Sequence, residues 1–169
     1  MIKRLVKLAG LFFLPFWVYG QQLTVQIEQD VQFSEFLQPI SEAGTDYSAT
    51  PDAQASVHVS VIMADELNRG NNKNQKWRVF VHKLDMEWNS VLLLEGRRTG
   101  SGMGLNNPGN PNIRDGENFQ PVTNNSVYFF RGMGEIVQIP LALKLSGFSV
   151  TMGARDFETS LVFTVYDDW

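Results

Sequence analysis

The sequence predicts an all-β protein, an Ig-like antiparallel β-sandwich of about seven to nine strands after a cleaved signal peptide. Three observations carry this expectation. Apolar side chains recur at every second position in segment after segment. No stretch sustains an apolar period of about 3.6 residues, and Gly, Asn and Pro cluster in the gaps. The first 20 residues have the layout of an export signal.

That leading segment carries Lys3, Arg4 and Lys7 and no acid, then an apolar run from Leu8 to Val18, then Val18 and Gly20 at the −3 and −1 positions of a cleavage site. The 11-residue apolar core contains Pro15; it is short of the ~20 apolar residues that a bilayer span requires, which disfavours the competing reading of an uncleaved anchor. The expected organisation is a signal peptide over residues 1–20 and a single β-sandwich domain over 21–169. Cleavage leaves 11 basic against 18 acidic residues in 149, a charge of −7 where the whole chain has −4.

Within 21–169 the alternation begins at once, with Leu23, Val25, Ile27, Val31 and Phe33 separated by polar residues. One set of side chains then faces a core and the other faces water. The pattern returns at Val57–Met63, at Trp77–Val81, from Val137 to Leu145 and at Leu161–Val165. Val91–Leu94 is a continuous apolar run and reads as a strand buried on both faces, while Tyr128–Phe130 and Phe148–Met152 are shorter candidates. Pro140 lies inside the longest alternating run and cannot donate a ladder bond, so a bend, a bulge or an edge position is expected there. Leu37–Ala55 reads as a linker, and Gly100–Asn118, with 5 Gly, 2 Pro and 5 Asn, as a long loop.

Composition narrows the function. An apolar content of 43% suits a globular fold, and the acidic balance argues against binding nucleic acid by phosphate neutralisation. The absence of cysteine removes disulfides, thiolate metal sites, a cysteine nucleophile and a lipoprotein anchor. No later apolar stretch reaches spanning length, so no integral membrane domain is expected in the mature chain.

Few residues offer chemistry. Gly100-Ser101-Gly102-Met103-Gly104 lacks the third fingerprint glycine, and Asn110 stands where a phosphate loop needs lysine. Asn106, Asn107, Asn110, Asn112, Asp115, Glu117 and Asn118 are oxygen donors without calcium-loop spacing, better read as turn formers. A β-hairpin symmetric about Gly70 would set His58 opposite His82, but no third metal ligand is identifiable, and two unrelated surface histidines are the plainer reading. No G-x-S-x-G elbow and no recognisable triad appear, so no catalytic residue is named and enzyme activity is not expected; neither is a metal or cofactor. Arg97 and Arg98 are expected to pair with local carboxylates, the alternative being contact with the aromatic cluster of Tyr128, Phe129 and Phe130. Asn124-Asn125-Ser126 matches the glycan sequon, a frequent chance match.

The ends are more informative. A long alternating strand opens the mature chain, a linker follows, and the sequence stops four residues beyond Val165 in the run Leu161-Val162-Phe163-Thr164-Val165. This layout resembles subunits of chaperone–usher pili and their spore-coat-U-like relatives. The resemblance covers most of the mature chain and has no diagnostic motif; the chain also lacks the cysteine pair found in many such pilins. It implies that Leu23, Val25, Ile27, Val31 and Phe33 are donor-strand positions and that Leu161, Phe163 and Val165 line the acceptor groove of a neighbour. The alternative is that Leu23–Phe33 is the first strand of its own closed sandwich. The expected function is an exported structural or interaction subunit at the bacterial surface or in the periplasm, self-assembling or partnered by other exported proteins. The alternative is a secreted monomeric module binding a glycan or small apolar ligand through the Gly100–Asn118 loop and aromatics such as Trp77, Trp88, Tyr128 and Phe129; a hydrolase is a distant third.

Overall fold

A computed structural model describes residues 23–27, 53–63, 74–105, 110–147 and 157–168, with 53–56 and 63 described by their backbone alone. Among them are ten strands and no helix: β1 (Leu23–Ile27), β2 (Ala53–Met63), β3 (Lys76–Glu87), β4 (Leu93–Arg98), β5 (Met103–Gly104), β6 (Asn112–Arg114), β7 (Gln120–Pro121), β8 (Val127–Met133), β9 (Ile136–Ser146) and β10 (Glu158–Asp167). The segment read as a signal peptide, Val31, Phe33, most of the linker and Phe148–Met152 lie outside the described residues.

The strands form two sheets. One runs β1-β2-β9-β4-β7, with β5 also paired to β9, and the other runs β10-β3-β8-β6; every pairing is antiparallel. Of the inward sets that alternation picks out, Val57, Val59 and Val61 on β2, Trp77, Val79 and Val81 on β3, and Ile139, Leu141, Leu143 and Leu145 on β9 join one apolar cluster fed by both sheets. Val137 does not: the irregularity at Gln138 changes the phase, and Ile136 takes the core position. The packing is sandwich-like. Trp77 is fully buried, meets Phe130 edge-on at 6.1 Å and donates its Nε1–H to the Gly134 carbonyl at 2.6 Å, which satisfies the indole's only donor.

Two expectations need correction, and one alternative falls away. β2 and β3 lie in different sheets, β2 between β1 and β9 and β3 between β10 and β8, so His58 and His82 are not cross-strand neighbours, in keeping with the plainer reading of two unrelated histidines. The apolar run Val91–Leu94 is not buried on both faces: Leu92 and Leu94 are in the core while Val91 and Leu93 are exposed. Gly100–Asn118 is not one loop, because β5 ties it to β9 and β6 ties it to β8.

Pro140 sits in an interior strand, opposite His58, and the irregularity it implied is present nearby. The β2–β9 register shifts between Val59 and Val61, and Gln138 adopts a φ of 54°. The Gln138 N–H, turned out of the ladder, donates to the Ser60 hydroxyl at 3.0 Å, and the Pro140 carbonyl accepts from the Thr99 amide at 2.9 Å.

Candidate functional site

Two parts of the molecule gather residues of functional interest. At one side of the core, β1 and β10 are the end strands of their respective sheets and touch each other. Leu23 is buried in the core, Val25 packs against it half-buried, and Ile27 is 46% exposed. On β10, Val165 is buried, and Leu161 and Phe163 are half-buried against the same cluster, with the Phe163 ring 6.2 Å from that of Phe129. Of the donor positions named from the sequence, Leu23 and Val25 share one core with the acceptor set Leu161, Phe163 and Val165 of the same chain, Ile27 does not, and Val31 and Phe33 lie outside the described residues. β1 takes its ladder bonds from β2 in the register Leu23↔Met63 to Ile27↔Val59.

The opposite side of the core is closed by the chain passing from β6 to β7. Its bend uses Asp115 and Gly116, both with positive φ (67° and 75°), a backbone region that glycine enters freely and aspartate more readily than most residues. Arg98, 4% exposed, holds this crossing. Its Nε donates to the Asp115 carbonyl at 3.0 Å, Nη1 to the Gly100 carbonyl at 2.8 Å and Nη2 to Glu117 Oε1 at 2.9 Å. The Arg98 amide adds a bond to the Gly116 carbonyl. Arg97, facing the other way, lies over the Phe119 ring at 4.6 Å. The expected carboxylate pairing thus holds for Arg98, while the aromatic partner of Arg97 is Phe119, not the Tyr128 cluster.

The second part is the outer face of the β10-β3-β8-β6 sheet. Alternation on β3 turns Lys76, Arg78, Phe80 and His82 outward as Trp77, Val79 and Val81 turn inward. Arg78 stands opposite Arg131 of β8, and Arg131 opposite Arg114 of β6. Arg78 is hydrogen-bonded to Asp168, an ion pair that holds the arginine more firmly protonated than usual and the Asp168 carboxyl below its ordinary range. Arg131 Nε is 3.2 Å from Asp115 Oδ2, the oxygen that accepts the Tyr128 hydroxyl at 2.5 Å. Burial, then that hydrogen bond and the Asp115 charge, push the Tyr128 phenol well above its normal pKa, so it stays a donor.

Beside the arginines runs an aromatic row. The Phe80 ring meets Tyr128 at 5.8 Å and Tyr166 at 5.3 Å, both edge-on, and Tyr166 is 53% exposed. A cleft of about 300 Å³ opens among the arginines, lined by Lys76, Trp77, Asn112, Arg114, Arg131, Gly132, Met133 and Asp168. Of the aromatics offered from the sequence for ligand binding, Trp77 and Phe129 are buried in the core, Trp88 is half-buried under Lys83, and Tyr128 alone lies in this row. Phe80 and Tyr166 each occupy the outward phase of their strand, which alternation shows, but their meeting depends on the β3–β10 register. Among the described residues no group of three or more His, Asp or Glu is placed to hold a metal ion.

Comparison of the chain with family models, curated proteins and solved structures finds no match.

Proposed function

We propose that the protein is an exported structural or interaction subunit of Ig-like sandwich type, acting at the bacterial surface or in the periplasm and assembling by strand addition. The observation that supports this reading is the joint between β1 and β10. β1 is an end strand, hydrogen-bonded by β2 on one side, and its inward residues Leu23 and Val25 complete the same core edge as Leu161, Phe163 and Val165. A segment of 25 residues separates β1 from β2 and reaches up to roughly 80 Å when extended, so the same strand can serve its own core or that of an adjacent copy. Main-chain bonds give such an exchange its affinity, and the alternating side chains give it register.

Deleting residues 21–33 tests the proposal. The truncated chain is expected to be unstable alone and to recover a cooperative unfolding transition when a peptide of that sequence is supplied in trans, and the intact protein is expected to show multiples of its subunit mass. A truncated chain that no peptide rescues, together with a strictly monomeric intact protein, would assign β1 permanently to its own sandwich.

A further inference from the structure

We infer that the outer face of the β10-β3-β8-β6 sheet binds an acidic saccharide, the arginine row taking its carboxylate or sulfate groups and the aromatic row its sugar rings. Arg78, Arg131 and Arg114 stand in direct register on three neighbouring strands, and like charges directly opposite one another destabilise a sheet. Lys76 joins them two positions before Arg78, giving four cations against Asp115 and Asp168 in a chain whose net charge is −4. The two carboxylates engage Arg78 and Arg131; among the described residues the Arg114 side chain has neither ion pair nor hydrogen bond. Folding does not call for this arrangement, whereas an anionic ligand would neutralise it, and guanidinium groups suit carboxylate and sulfate because they bond them in a bidentate manner.

The aromatic row decides what carries the anion. The site lies on the face of a sheet whose interior main-chain groups are already paired, so an extended peptide could not gain the backbone bonds that drive strand addition. Recognition must come from side chains. Tyr166, Phe80 and Tyr128 offer ring surface for the apolar C–H faces of sugar rings, Tyr166 adds a phenol hydroxyl, and Asn112 in the cleft adds an amide. The acidic character of the rest of the chain works against a densely charged nucleic acid and is compatible with a ligand carrying about one charge per ring.

Binding of a galacturonate trisaccharide and of a sulfated galactose trisaccharide to the purified protein is to be measured by calorimetry. The controls are the methyl-esterified or desulfated sugars, inorganic sulfate, and a hexaglutamate peptide. At least one acidic saccharide is expected to bind, and loss of its charge should weaken it about tenfold or more. Arg114→Gln should weaken binding by a similar factor with an unchanged unfolding midpoint. Tyr166→Ala should weaken the saccharide and leave sulfate binding unaltered. Failure of both acidic saccharides to bind, equal binding of the neutral sugars, indifference to Arg114→Gln or Tyr166→Ala, or hexaglutamate bound as tightly as the saccharide would each overturn the assignment.

Discussion

The Trp77 indole lies so close over Gly132 that a Cβ at position 132 would fall 2.4 Å from two of its ring carbons. The two residues are register partners on β3 and β8, and glycine at 132 is what lets the largest core side chain cross its neighbouring strand. Gly132→Ala forces the ring out of a fully buried site, where overpacking typically costs about 1–3 kcal/mol. Denaturant unfolding followed by Trp fluorescence is expected to show a loss in that range; an unchanged midpoint would mean that the indole relaxes freely.

Arg98 and Glu117 share an ion pair but not its importance. The arginine side chain is 3% exposed and also supports two backbone carbonyls, whereas the Glu117 side chain is 75% exposed. Arg98→Ala removes buried packing and several hydrogen bonds and is expected to cost about 2–4 kcal/mol. Glu117→Gln is expected to cost less than about 1 kcal/mol, as exposed pairs do. Comparable losses in thermal unfolding would refute the view that the crossing, not the ion pair, is what Arg98 supports.

Asp85 gives the domain an acid-sensitive contact. Burial works to raise its pKa, but hydrogen bonds from Lys83, Asn124 and Thr159 outweigh it, and the carboxyl titrates below its usual value of 3.8. A depressed pKa in the fold contributes stability above the unfolded value, lost as pH falls through the folded one. Asp85→Asn is expected to cost about 1 kcal/mol at neutral pH. The gap between variant and parent should close below pH 3.8. A gap that persists in acid would point to packing instead.

Tyr128 makes the opposite prediction at the alkaline end. Its phenol is held protonated by burial and by Asp115, so its contribution is complete below the unfolded value of 10.0 and is lost as pH rises through the higher folded value. Difference absorbance between the parent and Tyr128→Phe should show no phenolate from this residue at pH 10, where an ordinary tyrosine is half ionised. A normal step there would show the hydrogen bond to be absent in solution.

Alternation marked β3 because that strand has one dry and one wetter face, a property written into neighbouring residues. On β2 it marked Val57, Val59 and Val61 correctly, but the other face is covered as well, with Ser60 and Ile62 buried. Partner choice is not local. The hairpin that would have joined His58 to His82 had no distinct sequence cost, yet β2 is drawn between β1 and β9 by the burial of Val57, Val59 and Val61 on that sheet. For the same reason the row of Arg78, Arg131 and Arg114 was invisible: the three are far apart in sequence and become neighbours only through β8. The Asp115-Gly116 bend is the part of Gly100–Asn118 that the residue types do indicate, since both tolerate positive φ, whereas the strands β5 and β6 in the same stretch are short and fixed only by distant partners.

The two sides of the core are fastened differently, and this bears on how the molecule comes apart. On one side the covalent chain itself passes between the sheets and Arg98 clasps it; on the other, among the described residues, β1 and β10 meet as separate edges. Local opening should therefore begin as a seam parting, with amide hydrogens of Leu23–Ile27 exchanging well before those of β9, and with Leu23 and Val165 the first core residues to be wetted. Proteases, chaperones or a competing strand would all find the same way in, while the clasped side keeps the remaining sheets aligned for the seam to close again.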